Sequence, residues 1–300
     1  MRKLMSLLLC VVLFLSVCGA ASAEENAFTV VAPNGAPGIA LATLAVNDPD
    51  HFPYVAADTI ASVFAANEAD FIIAPLNAGA KLYKAGKSTY KLAAVVTWGN
   101  LCFASQRPDF TLESMNGAVV TLFGENTINA SVALRVLEQN GVTPSEIQYL
   151  AGAANTQSLL LTDAEAIVLT AEPAVTAAKI KNPAVTAYPL NTLGAEQYTQ
   201  AALFVRAETL EAQPEAVAAF LEKAAAACAQ CTDDVEAVAE ASVTLGILPN
   251  AKVAVQAIPG CSIRFVPALE AREAVEATVA IDPAQFGGAV PADDFYYAAK

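Results

Sequence analysis

Three asparagines, one tryptophan and one glutamate stand where short apolar runs break off. Asn34 follows Phe28–Ala32, Asn77 follows Phe71–Ala74, Trp98 and Asn100 follow Leu92–Thr97, and Glu172 follows Ala166–Thr170. An amide both donates and accepts hydrogen bonds, an indole stacks on planar or apolar groups, and a carboxylate receives a cation or an N–H. Ala36, Pro37, Leu76 and Thr97 lie in the same turns, where main-chain N–H groups at helix starts are unpaired. Gly124, Asn126 and Thr127 form a further turn that could close over a ligand as a polar clamp. Such groups bind. Turnover needs an activated nucleophile, an acid–base pair or a metal. The chain has a single histidine, His51, in a polar loop, and no His–Cys cluster, paired carboxylates or nucleophile elbow. The candidate ligand-binding set is thus Asn34, Ala36, Pro37, Leu76, Asn77, Thr97, Trp98, Asn100, Asn126, Thr127 and Glu172, with Asn77 first among the amides. Each has a plainer alternative. Asparagine is common in turns for backbone reasons, Asn126 can cap a helix, Glu172 can favour its own helix N-terminus, and Trp98 can fill a lobe interface.

The elements that would carry these residues alternate between strand and helix. Strands are predicted at 28–32, 54–57, 71–74, 92–97, 101–105, 118–123, 147–150, 166–170, 185–189 and 202–206. Helices are predicted from about Ile39, after Asp58 as cap, over Asn77–Ala85, from Ile128 to a glycine stop at Asn140-Gly141, over Asn155–Leu161 and after Ala171-Glu172-Pro173. Beyond Glu208 the pattern is helical almost throughout. This order is α/β, and in open α/β sheets ligands collect beyond the carboxyl ends of the strands. The chain is expected to cross into a second domain near Ser105–Phe110 and to return near Ala202–Arg206. The expected division is 1–23 as an export signal, 24–106 with 206–300 as one discontinuous lobe, and 107–205 as the other.

Arg2 and Lys3, the uncharged apolar stretch Leu4–Val17 and the small residues Ala21-Ser22-Ala23 read as a secretory signal. That stretch is shorter than the ~20 residues a membrane-spanning helix needs. Cys18 in Leu15-Ser16-Val17-Cys18-Gly19 leaves two outcomes open, cleavage after Ala23 or lipid anchoring through Cys18. Either places the mature chain, without a transmembrane segment, outside the cytoplasm. Some 277 residues follow (300 less 23), room for two domains. Loss of Arg2 and Lys3 takes the net charge from −14 to −16, which excludes nucleic acid and anionic membranes as partners. Cys102, Cys228, Cys231 and Cys261 are too few for a disulfide scaffold; Cys228-Ala-Gln-Cys231 has no second pair to complete a metal site, and a bond to Cys261 stays open. No cofactor and no metal is expected.

The turn Ala32-Pro33-Asn34-Gly35-Ala36-Pro37, the block Ala74–Tyr83 with Val96–Leu101, the helix start Ala171–Ala174, and the tail from Ile258-Pro259-Gly260-Cys261 to Asp293–Tyr297 resemble the substrate-binding proteins of ABC importers. More narrowly, they are similar to the nitrate/sulfonate/taurine and thiamine-precursor branch, of Gram-positive type. The resemblance spans nearly the whole mature chain. It implies a type II periplasmic-binding-protein fold, with two α/β lobes joined by two crossing strands that close on a small solute. It further implies a monomer that delivers the solute to a permease and ATPase. Enzymes of small-molecule metabolism and non-transport sensory modules share that architecture and are the alternatives.

Overall fold

The computed structural model describes residues 28–194 and 198–298. The expected export signal, with Cys18, lies outside the described residues. Two sheets organise the chain. The first runs β11-β4-β10-β3-β1-β2, built from β1 (Val30–Pro33), β2 (Tyr54–Val55), β3 (Phe71–Pro75), β4 (Lys91–Thr97), β10 (Ala201–Val205) and β11 (Ile263–Pro267). The second runs β7-β6-β8-β5-β9, from β5 (Leu101–Ser105), β6 (Val119–Phe123), β7 (Glu146–Leu150), β8 (Ile167–Ala171) and β9 (Thr186–Pro189). Each sheet has parallel strands plus an antiparallel strand delivered from the other. Strand β10 lies antiparallel between β3 and β4, and β5 lies antiparallel between β8 and β9.

The chain therefore leaves the first sheet at Trp98–Asn100 and re-enters it at Ala201. This differs from the expected crossings near 105–110 and 202–206, whose division at 106/107 and 205/206 left Leu101–Ser105 with the first lobe and Ala201–Val205 with the second. Both strands are buried along their whole length. A run buried on both faces has no polar side to show which sheet it joins.

The faces of the first sheet follow the two-residue period of a strand. Ile72, Ala74, Val95 and Phe204 enter one apolar cluster, and Phe71, Ile73, Val96 and Leu203 the other. The first cluster continues into the second lobe through Leu101, Phe103, Leu122 and Leu169. On that side pack α3 (Ile60–Ala66), α4 (Leu76–Lys84), α5 (Ile128–Gln139) and α12 (Arg272–Ile281). The opposite side of the first sheet carries α1 (Ala36–Ile39), α2 (Ala42–Ala45), α9 (Pro214–Asp233), α10 (Val235–Thr244) and α11 (Ala251–Ala257). Strand β7 is followed by α6 (Ala153–Thr162), β8 by α7 (Ala174–Lys181) and β10 by α8 (Ala207–Ala212).

Two local expectations are corrected. Asp58 lies within a 3-10 turn, and no side chain caps α3. The C-terminal part is not wholly helical, because β11 pairs antiparallel with β4 at the sheet edge. Cys102, Cys228, Cys231 and Cys261 are free, buried thiols, so no disulfide joins Cys261 to another cysteine among the described residues.

Helix α4 approaches β10 closely because Gly79 has no side chain: a Cβ there would clash with the Phe204 ring. Alanine improves helix propensity by ~1 kcal/mol, but overpacking a core costs ~1–3 kcal/mol. Gly79→Ala is expected to lower the urea midpoint, and Phe204→Leu in the same chain to recover part of the loss. A more stable Gly79→Ala protein would contradict this packing.

Candidate functional site

The loops after β1, β3 and β4 and before β10 lie at the end of the first sheet where the chain crosses to the second. The loops after β6 and β8 occupy the matching end of the second sheet. Gln200, which the sequence reading missed, joins several of them. Its N–H donates to the Thr97 carbonyl at 3.0 Å, and its carbonyl accepts from Leu76 N–H at 3.0 Å. Its side-chain Oε1 accepts from Asn100 N–H at 3.2 Å, and its Nε2 donates to Asn129 Oδ1, in the first turn of α5, at 3.4 Å. Thr97 completes the junction by accepting from Ala201 N–H through Oγ1 at 2.9 Å. One signal was present in the sequence: an amide immediately precedes each crossing strand, Asn100 before Leu101–Ser105 and Gln200 before Ala201–Val205.

Asn100 and Glu172 are brought together. Glu172 N–H donates to the Asn100 carbonyl at 2.9 Å, and Asn100 Nδ2 donates back to the Glu172 carbonyl at 2.9 Å. The Glu172 side chain accepts from Thr176 Oγ1 at 2.9 Å and Thr176 N–H at 3.3 Å, close to the first turn of its own helix. It also touches the first lobe, because a Cβ on Gly260 would lie 3.0 Å from Glu172 Cγ. Burial raises the Glu172 carboxyl above its ordinary pKa, against the opposing pull of the Thr176 hydrogen bonds. Asn77 occupies the first turn of α4. The side-chain oxygens of Asn77 and Asn100 are both buried without a hydrogen-bond partner. Buried amide oxygens seldom stay unpaired, so each marks a place where a donor is wanted.

The remaining candidates are placed differently. Leu76 and Thr97 are fully buried, and the Leu76 N–H, the Thr97 carbonyl and the Thr97 hydroxyl serve the Gln200 junction. Asn34 is exposed, and its N–H donates to the Val55 carbonyl at 3.3 Å. Ala36 and Pro37 form the first residues of α1. Asn126 is exposed with φ 57°, and Thr127 donates through Oγ1 to the Gly124 carbonyl at 2.6 Å. Thr127, not Asn126, is the N-cap residue of α5, and its side chain makes no capping bond.

Trp98 departs furthest from expectation. Its Nε1–H donates to the Arg264 carbonyl at 2.9 Å, and the Arg264 guanidinium lies 4.4 Å from the ring centroid. With 5 % of its surface exposed, it packs in the core at the crossing between the lobes. Its edge borders a cavity of about 620 Å³ that also meets Arg135 of α5, Tyr198 and α12. The ring and N–H expected to meet a ligand are thus engaged by β11, the strand the sequence reading did not find.

The groups suited to covalent chemistry are poorly disposed for it. Desolvation pushes the Cys102 and Cys231 thiols up to about 12 and raises Cys228 and Cys261 as well. His51 is a half-exposed loop residue whose Nδ1 lies 2.8 Å from Asp48. No cluster of three or more metal-ligating side chains occurs among the described residues.

A family model described as "NMT1/THI5 like" matches residues 53–238, more than half of the chain. The protein belongs to the NMT1/THI5-like family. No curated protein matches it in sequence. Among solved structures, an ABC transporter protein from Parabacteroides distasonis is similar at 20 % identity, with TM-score 0.78 over 91 % of this chain and 99 % of that one. The periplasmic aliphatic sulphonate binding protein of Escherichia coli is similar at 15 % identity, with TM-score 0.70 over 90 % and 92 %. The alkanesulfonate-binding protein of Xanthomonas axonopodis pv. citri, bound to MOPS, is similar at 14 % identity, with TM-score 0.64 over 87 % and 94 %. At these identities the likeness establishes the fold, that of a periplasmic binding protein, in agreement with the two-lobed architecture expected from the sequence.

The Trp98 geometry makes a stability prediction. Trp98→Phe keeps a ring beneath Arg264 but leaves the Arg264 carbonyl without its donor, at a cost of about 1–3 kcal/mol. Ligand-free Trp98→Phe protein is expected to unfold at lower urea than the parent. An unchanged midpoint would show that this hydrogen bond does not hold the crossing.

Proposed function

We propose that this protein is the solute-binding component of an ABC importer, working outside the cytoplasm. It captures one small molecule between its lobes and presents it, unaltered, to a membrane permease driven by an ATPase. The observation that carries this reading is the convergence of two sheets on one junction. Leu76, Thr97 and Asn100 meet at Gln200, and Asn100 meets Glu172 from the second lobe. A molecule at that junction would touch both lobes, and would shift the open–closed equilibrium by its greater affinity for the closed form. Family membership and the likeness in fold to importer components support the reading. Among the described residues, no activated nucleophile or acid–base pair stands at the junction, which favours binding over turnover.

The protein is proposed to act as a monomer, with no cofactor. No helix among the described residues is long and apolar enough to cross a membrane. The proposed location rests on the N-terminal signal, with release after Ala23 or anchoring through Cys18 as its two forms.

A thermal-shift screen over sulfonates, nitrate, amino acids, amines and vitamins tests this. A ligand at 100 times its Kd adds about 2.7 kcal/mol to stability, or roughly 5 °C in Tm for a chain of this length. At least one class is expected to raise Tm, reduce the radius of gyration in X-ray scattering and be recovered unchanged. Chemical conversion of the bound compound, or a flat response across the library, would contradict the proposal.

A further inference from the structure

We propose that the ligand is a small organic cation with several N–H donors, of the amidinium or guanidinium class, held by the Glu172 carboxylate and the side-chain oxygens of Asn77 and Asn100. This deepens the receptor reading and rests on it. Asn100 is 6 % exposed, and its amide orientation is set by the bond from Nδ2 to the Glu172 carbonyl. The oxygen is therefore the end left without a partner. Asn77, in the first turn of α4 beside the Leu76–Gln200 bond, has a second buried and unpartnered oxygen. Glu172 adds a largely desolvated carboxylate whose polar contacts come from Thr176. No lysine or arginine among the described residues forms an ion pair with it, and Lys179 acts on it only at range. Two amide oxygens thus lie at the junction without donors, and the Glu172 carboxylate, whose donors both come from Thr176, lacks a cation. A buried carboxylate is costly unless a cation or donors compensate it. A planar cation with N–H groups on several edges supplies both.

An anion fits poorly. The segments 33–38, 75–79, 97–100, 124–129, 171–174 and 198–201 contain no lysine or arginine. The first N–H of α4, which could have received an anion, is taken by the Gln200 carbonyl. A sulfonate placed there would face Glu172 and two oxygens. The net charge of −14 over the whole chain also favours the approach of cations.

The test is titration of the mature protein with methylguanidinium, acetamidinium and benzamidinium, set against ethanesulfonate and nitrate, read by calorimetry and X-ray scattering. At least one cation is expected to bind and compact the protein, while the anions leave both signals flat. Glu172→Gln is expected to weaken cation binding at least tenfold, and Asn77→Ala at least threefold, with ligand-free Tm showing that each variant is folded. Cation binding unaffected by Glu172→Gln would overturn the assignment of the site. Compaction by ethanesulfonate or nitrate, with no cation bound, would overturn the ligand class while leaving the receptor reading intact. No compaction by any solute, here or in the wider library, would remove both.

Discussion

The two sheets are joined by two short crossings, and the polar groups of one residue, Gln200, tie those crossings together. Its backbone pairs with Thr97 and Leu76, and its carboxamide reaches Asn100 N–H and Asn129. The ends of β3, β4 and β10 and the start of α5 are thereby referred to one point. Hydrogen bonds of this kind contribute only about 1 kcal/mol each. Their importance is geometric, since an apolar core alone does not set the angle between two lobes. The candidate site is consequently a property of the junction, and the helices and sheets around it serve to hold it in place.

The same junction gives the candidate site its polar character. The side chains gathered there are amides, a threonine hydroxyl and one carboxylate, while the thiols of Cys102 and Cys261 are buried and held protonated by desolvation. The Arg264 guanidinium lies over the Trp98 ring. A small molecule entering the junction meets acceptors and main-chain groups. Recognition by a few placed polar groups between two lobes suits the proposed receptor, which must later let go.

Much of the framework was legible because buried strands and helix punctuation are local signals. Phe71–Ala74, Leu101–Ser105 and the helix start at Ile128 were found as apolar runs followed by turn residues, close to their observed bounds. What failed was non-local. The sheet to which Leu101–Ser105 belongs depends on its partners Thr186–Pro189 and Ile167–Ala171, and nothing within the run names them. Strand Ile263–Pro267 escaped because an edge strand with mixed exposure lacks clean alternation. That omission misplaced Trp98, whose indole is engaged by the missing strand. The meeting of Asn100 with Glu172 was not readable either, although both residues were singled out, since 72 positions separate them. Gln200 was overlooked because a lone amide before an apolar run resembles any loop residue until its three-dimensional neighbours are known.

The most direct measurement is the distribution of distances between fluorophores on exposed positions of the two lobes, Lys81 and Glu146, by single-molecule energy transfer. The buried native thiols permit labelling at cysteines introduced there. If Gln200 governs the relative position of the lobes, ligand-free protein shows a narrow population that Gln200→Ala broadens and shifts toward longer distances. Superimposable distributions for the two proteins, with both fully folded, would contradict the account.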